Sequence, residues 1–329
     1  ICDLLGLITP RRLASKKSLI SQSEEYRNSQ GAALSDSKYC SAVRILRLLA
    51  AFTISGLALI SLSFPISAQA DSVIVKSIPT APGVSIDTSL YLPAKSPAPA
   101  ILIAHGFGGS KDSVESDAKY FASKGYVVLT WTARGFGKST GEIAMNSLGA
   151  EVKDTSALIS YLSKSKYVLQ DKSGDPRVGI MGSSYGGANA LMTASQNSRI
   201  DAVIADITWS NLASNLFPQS IKNSSVSGPF KKVWAGTFFS AVSLQSAYLG
   251  ECGSFTQEWC DAYRSAAING APSDQEKKLL ASVSPVNFAS TIKAPTLLSQ
   301  AKQIRSFHYL KAIKLPKQLR RQTQSLPCR

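Results

Sequence analysis

Gly182-Ser183-Ser184-Tyr185-Gly186 is a G-x-S-x-G segment, and the residues on either side decide what it means. Before it, Arg177-Val178-Gly179-Ile180-Met181-Gly182 is a short apolar run that suits a buried parallel strand. After it, Ala188-Asn189-Ala190-Leu191-Met192-Thr193-Ala194 combines small residues with helix formers. Strand, sharp turn and helix is the context in which such a motif presents its central serine. Glycines at both ends let the turn tighten and the helix pack close, which pushes Ser184 into a strained, exposed position suited to nucleophilic attack. The competing reading is a glycine-rich loop that merely contains serine.

A second piece that this chemistry needs lies upstream. Pro99-Ala-Ile-Leu-Ile-Ala-His105-Gly106-Phe107-Gly108-Gly109 is a buried strand running into a glycine turn, the pattern of a loop that supplies an oxyanion-stabilising N–H. The backbone amides of Tyr185 and Phe107 are the candidate donors. His105 belongs to this turn and reads as a structural histidine rather than a catalytic base. The next strand, Gly125-Tyr-Val-Val-Leu-Thr-Trp131, ends in Thr132-Ala133-Arg134-Gly135-Phe136-Gly137-Lys138-Ser139, whose glycines suit a tight loop beside the site.

In this order and spacing the three segments resemble the Xaa-Pro dipeptidyl-peptidase-like and cocaine-esterase-like serine hydrolases. Ser183-Ser-Tyr-Gly-Gly187, the R-G-F-G-x-S loop, Ile207-Thr208-Trp209-Ser210-Asn211-Leu212 and Ile292-Lys-Ala-Pro-Thr-Leu-Leu298 extend the resemblance over roughly residues 72 to 300. The resemblance implies an α/β-hydrolase fold. It also implies hydrolysis of a small peptide or ester through an acyl-enzyme at Ser184, with a carboxylate and then a histidine following in the chain, and no cofactor.

A coarse pass along the chain agrees. Ser72 to Ile78 and Ser85 to Leu92 read as an antiparallel leading edge, followed by strands near 100–105, 126–131, 177–182, 201–207 and 294–299. Helical spacing occupies 114–124, 147–164 and 185–197 between them. The expected architecture is a doubly wound, mostly parallel sheet over 71–300 with an inserted helical cap at about 209–282. In the cap, Trp209, Phe217, Phe230, Trp234, Phe238, Phe239 and Tyr248 either line a substrate pocket or pack the cap onto the sheet; for most of them the sequence favours packing. Cys252 and Cys260 bracket a polar aromatic loop and are expected to pair as a disulfide, and no cysteine or histidine spacing nearby suits a metal.

The formal charge of +15 over 329 residues suggests a nucleic-acid or membrane partner until it is located. Residues 1–47 hold eight Lys/Arg against four Asp/Glu, and residues 301–329 hold eight against none, leaving 20 basic and 17 acidic residues between them. The body is thus close to neutral, and no nucleic-acid partner is expected. Arg44 and Arg47, the apolar run Leu48 to Phe64 and the site Ser67-Ala68-Gln69-Ala70 form the pattern of a secretory signal peptide over 43–70, cleaved before Asp71; a membrane anchor is the alternative. The expectation is a secreted or extracytoplasmic protein that meets the membrane only during export. Residues 1–42 lack apolar periodicity and read as a non-native upstream extension, with the start at Val43.

The base is the missing part. Of the two histidines, His105 sits in the oxyanion turn and His308 in the tail, and no aspartate or glutamate follows Glu276. A one-base shift after Gln300 restores a glycine and an aspartate where the family pattern wants them. Residues 301–329 are therefore read as an out-of-frame tail, with the triad Asp and His absent and this chain inactive. A non-catalytic remnant or binding protein of the same fold is the second reading. Asp206, the best remaining carboxylate near the site, is expected to cap the following turn.

Overall fold

The computed structural model describes residues 72–218, 230–245 and 252–300; the segments 1–42, 43–70 and 301–329, and with them His308, lie outside the described residues, as does Tyr248. β1 (Ser72–Ala81) and β2 (Val84–Leu92) form an antiparallel hairpin. β1 continues past Ile78 to Ala81, with a register shift between Pro79, which has no N–H to offer the ladder, and Ala81. β3 (Ala100–Ala104) and β4 (Val127–Trp131) follow, then a small hairpin of β5 (Gln170–Lys172) with β6 (Asp175–Pro176), then β7 (Val178–Ser183), β8 (Ile200–Asp206) and β9 (Thr296–Ser299). The main sheet runs β1-β2-β4-β3-β7-β8-β9. β4, β3, β7, β8 and β9 are mutually parallel, and β2 is antiparallel to both of its neighbours.

Side-chain parity explains why both faces of this sheet are covered. Successive residues of a strand point to opposite faces. In β4, Val127, Leu129 and Trp131 join one apolar cluster while Val128 joins another, and in β3 Leu102 and Ile103 divide the same way. The first cluster is closed by α2 (Glu151–Leu162) through Leu158, Ile159 and Leu162, and by α3 (Tyr185–Gln196) through Ala190, Leu191 and Ala194. The second is closed by α1 (Glu115–Ser123) through Ala118 and Ala122. Each fully buried Leu or Ile contributes about 1.5–3 kcal/mol, so continuous apolar strands are what a two-faced sheet requires. The result is a doubly wound α/β-hydrolase sheet.

α2 begins at Glu151, four residues later than its spacing suggests. Residues 147–150 form a turn instead, because the Ser147 N–H is taken by Glu151 Oε2 and Ala150 has φ −126°, ψ −96°. Between β8 and β9 the described residues hold α4 (Leu212–Leu216), α5 (Lys232–Gln245), α6 (Gln257–Asn269) and α7 (Asp274–Ser282), and no strand. This insertion follows the carboxyl end of β8, where the parallel strands deliver their loops.

Candidate active site

Ser184 occupies the turn between β7 and α3 with φ 54° and ψ −116°. A non-glycine residue at positive φ costs of order 1–3 kcal/mol and persists only where its surroundings enforce it. Here they do. The Ser184 N–H donates to the Asp206 carbonyl at 2.9 Å, and its own carbonyl accepts from Thr208 Oγ1 at 2.6 Å. A Cβ on Gly182 would lie 2.5 Å from the Gly186 carbonyl carbon, and one on Gly186 would run into the Ala104 and His105 carbonyl oxygens. Those two positions must be glycine for the helix to start so close to β3. Ser184 is half-buried, and its hydroxyl has no hydrogen-bond partner among the described residues.

The amides of Tyr185 and Phe107 likewise donate to no acceptor among the described residues. Their rings meet edge to face at 5.5 Å, which ties the turn after β3 to the start of α3. Tyr185 is held at both ends. Its hydroxyl donates to Glu151 Oε1 at 3.2 Å, and its carbonyl accepts from Asn146 Nδ2 at 2.9 Å. Asn146 Oδ1 in turn accepts from Asn189 Nδ2, and Asn189 Oδ1 accepts from Thr155 Oγ1, both at 3.0 Å. Met145 and Asn146 have φ 56° and 66°, and Glu151 clamps that loop by accepting from the Ala144 and Ser147 amides at 2.6 and 3.1 Å. Burial raises the Glu151 carboxyl to about 6, against the hydrogen bond from Ala144 that favours the anion. Burial, and then the neighbouring Glu151 charge, raise the Tyr185 hydroxyl well above its ordinary value. Arg134 of the glycine-rich loop grips Asp154 of α2 with two hydrogen bonds, at 2.6 and 2.8 Å.

His105 serves the backbone, as expected of a structural histidine. It is buried; Nε2 accepts from the Ala133 amide at 2.9 Å and Nδ1 faces the Gly106 carbonyl at 2.7 Å, which fixes the neutral Nδ1–H tautomer. Burial lowers its basicity further, only partly offset by that bond to Gly106. Asp206 departs from expectation. Its carboxylate caps no turn but accepts from Ser183 Oγ at 3.0 Å, while its main-chain carbonyl holds the Ser184 amide. Among the described residues no histidine or carboxylate reaches Ser184, and no group of three metal-ligating side chains occurs.

The cap aromatics fill both roles weighed for them. Trp209, Phe217, Phe230, Trp234, Phe238 and Phe239 line a cavity of about 120 Å³ that opens onto Ser184, Tyr185 and Phe107. Trp209 and Phe217 are at the same time buried in the apolar cluster of the cap, and Phe230 and Phe239 pack against it. α5 turns Trp234, Ala235, Phe238 and Phe239 to the cavity at helical spacing, and leaves Val233 86% exposed. Cys252 and Cys260 are joined in a disulfide with Cα atoms 5.4 Å apart. The loop they close is strapped to the Met145 segment, because the Ile143 N–H donates to the Ser254 carbonyl and the Thr256 N–H to the Ile143 carbonyl.

Neither Glu151 nor Asn146 stands out in the sequence. The signal that could find Glu151 is its place in the series Glu151, Thr155, Leu158, Leu162, which puts it on the buried stripe of α2.

Comparison with known proteins matches residues 82–326 to the model of the X-Pro dipeptidyl-peptidase family, S15. The quorum-quenching protein AidA of Acinetobacter baumannii is 32% identical over 131 residues, 39% of this chain and 41% of that protein. The uncharacterized protein YcjY of Escherichia coli K12 is 31% identical over 128 residues, 37% of this chain and 40% of that one. The chain thus spans about two fifths of the length of these curated relatives. Among solved structures, the α/β hydrolase GrgF from a Penicillium species is 19% identical with a TM-score of 0.47, covering 71% of this chain and 82% of that one.

Proposed function

Because the chain belongs to the X-Pro dipeptidyl-peptidase (S15) family of hydrolases, we propose that it derives from an exported serine hydrolase that cleaves an amide or ester through an acyl-enzyme at Ser184. The observation that carries this reading is the Ser184 turn, a positive-φ serine whose hydroxyl has no partner among the described residues, beside two amides that donate to no described acceptor. In the reaction, Ser184 Oγ attacks the substrate carbonyl carbon as its proton passes to a base. The carbonyl oxygen takes up the electron pair and receives the N–H groups of Tyr185 and Phe107. The C–N or C–O bond then breaks, the leaving group departs with the proton, and water releases the acyl group by the same route.

The base is the weak part of this chain. Both nitrogens of the only described histidine are committed to the backbone, and Asp206 is committed to Ser183. Turnover is therefore proposed to fall to what oxyanion stabilisation and binding sustain alone, about 10³–10⁴ over water. The same observation favours a second reading, a non-catalytic binding protein with a hydrolase fold. A fluorophosphonate probe separates the two. Labelling of Ser184, abolished in Ser184→Ala, requires a competent base and overturns the loss of turnover; a folded chain that stays unlabelled acts, as it stands, only as the binding protein. Export rests on the pattern over 43–70, and a mature protein that does not begin at Asp71 refutes that cleavage.

A further inference from the structure

From the chemistry of the cavity walls we infer the substrate class that the site admits: an ester or amide carrying an uncharged group of about one aromatic ring, and not a substrate anchored by a free amine. The inference rests on Ser184 marking the reacting centre.

Volume comes first. At about 120 Å³ the cavity is somewhat smaller than the ~150 Å³ apolar cavity known to admit benzene, so it takes one ring or a short branched alkyl group. Wall chemistry comes second. Of the residues that line it, only Ser184, Tyr185, Tyr263 and Glu276 carry polar side-chain groups other than an indole N–H. The Tyr185 hydroxyl is already donated to Glu151. Among the described residues Glu276 is the one ionisable acid or base of the lining other than tyrosine, and it closes the start of α7. Its Oε2 accepts from the Ser273 amide at 2.7 Å while its own amide donates to Ser273 Oγ, a reciprocal capping box. Among the described residues no lysine, arginine or histidine lines the cavity. A charged guest would leave water for hydrocarbon with at most one partially committed carboxylate to meet it, which is unfavourable. Ring preference comes third. Phe107 meets Phe136, Tyr185 and Phe238 edge to face and stacks on Phe255, so the wall nearest Ser184 presents ring edges and faces to a guest. Such contacts add to area burial for an aromatic guest and not for an aliphatic one.

The test uses binding, so it does not depend on turnover. Trp209, Trp234 and Trp259 line the cavity, whereas Trp131, the remaining tryptophan, is buried in β4. Tryptophan fluorescence therefore reports occupancy. The full chain is titrated with three probes of one size and different charge: benzyl alcohol, benzylammonium and benzoate. The expected result is binding of benzyl alcohol at least about tenfold tighter than either ion, an order unchanged in Glu276→Gln, which keeps the capping box. Filling the cavity from either of two helices with Ala235→Phe or Ala262→Phe should remove the response, and circular dichroism identifies whichever variant fails to fold. Benzylammonium binding as tightly as the alcohol, and losing that in Glu276→Gln, overturns the inference and places an amine subsite at Glu276. Any other order, or no response to any probe, also overturns it. Fluorophosphonate labelling is scored separately. Binding without labelling leaves the cavity inference standing and removes acyl-enzyme turnover by this chain, and labelling without binding does the reverse.

Discussion

Glu151 gives the site a pH signature that does not require turnover. The residue is 2% exposed, and burial lifts its carboxyl from the ordinary 4.5 to about 6. The sign follows from proton linkage. Between those two values the folded chain holds a proton that the unfolded chain has released, so stability declines as pH rises through the interval. A shift of roughly 1.5 units at ~1.36 kcal/mol per unit amounts to about 2 kcal/mol. That stability is fully present below a pH of 4.5 and is lost once the pH passes about 6. Glu151→Gln removes the titration and keeps the shape. It removes one carboxylate acceptor from the Ala144 and Ser147 amides, of which Ser147 keeps a second acceptor in the Ala144 carbonyl, at a cost of about 1–3 kcal/mol. Urea unfolding followed by tryptophan fluorescence, at pH values on both sides of the interval, gives the two stability profiles. The advantage of the parent chain over Glu151→Gln should shrink by about 2 kcal/mol as pH rises. An advantage that stays constant or grows would refute the assignment of a raised carboxyl beneath Tyr185.

Three further outcomes follow from the contacts around the turn. Arg134→Ala strips a bidentate partner from Asp154, whose side chain is 2% exposed, and should lower stability by about 3–5 kcal/mol in the same urea assay; a loss under ~1 kcal/mol would make the pair ornamental. Replacing Cys252 and Cys260 by serine opens a loop with a sequence separation of 8, for which chain entropy gives about 2.5 kcal/mol, and reduction of the parent chain should reproduce the same shift in midpoint. Ser184→Gly relieves the positive φ and should raise the melting temperature by the equivalent of ~1 kcal/mol, whereas Ser184→Ala keeps the strained backbone and should stay within ~0.5 kcal/mol of the parent. Equal stability of the two variants would show that the turn is not strained.

What was legible in the sequence was local. Strand, glycine, serine, glycine and helix are neighbours in the chain, and their geometry follows from sterics within a few residues, so the turn at Ser184 could be read directly. Cys252 and Cys260 are also close in sequence. Glu151 and Asp154 were not legible, because acidic residues in the first turn of a helix are ordinary companions of its dipole. Only the fold of 143–147 over α2, held by positive φ at Met145 and Asn146, turns that acidic end into the floor of the site. The role of the aromatics was ambiguous for a different reason. Helical spacing shows that Trp234, Phe238 and Phe239 share a face, but it cannot tell a face pressed against another helix from one that borders a cavity.

The two halves of the site divide the work in a way that follows from the topology. Phe107, the Arg134 loop, Ser184 and Thr208 all lie just beyond the carboxyl ends of β3, β4, β7 and β8, so the groups proposed to meet a reacting carbonyl come from the rigid sheet. Two of those groups are backbone amides, and Tyr185 is fixed at its hydroxyl and its carbonyl, so its N–H is aimed before any substrate arrives. Stabilisation of that kind needs no polar side chain in the pocket itself. The cap then supplies mostly hydrocarbon and rings, and α5 can change in size without disturbing the Ser184 backbone. Substitutions at Trp234 or Phe238 should accordingly alter which probes bind while leaving the Glu151 titration unchanged. A change in that titration on altering α5 would show that floor and roof are mechanically coupled.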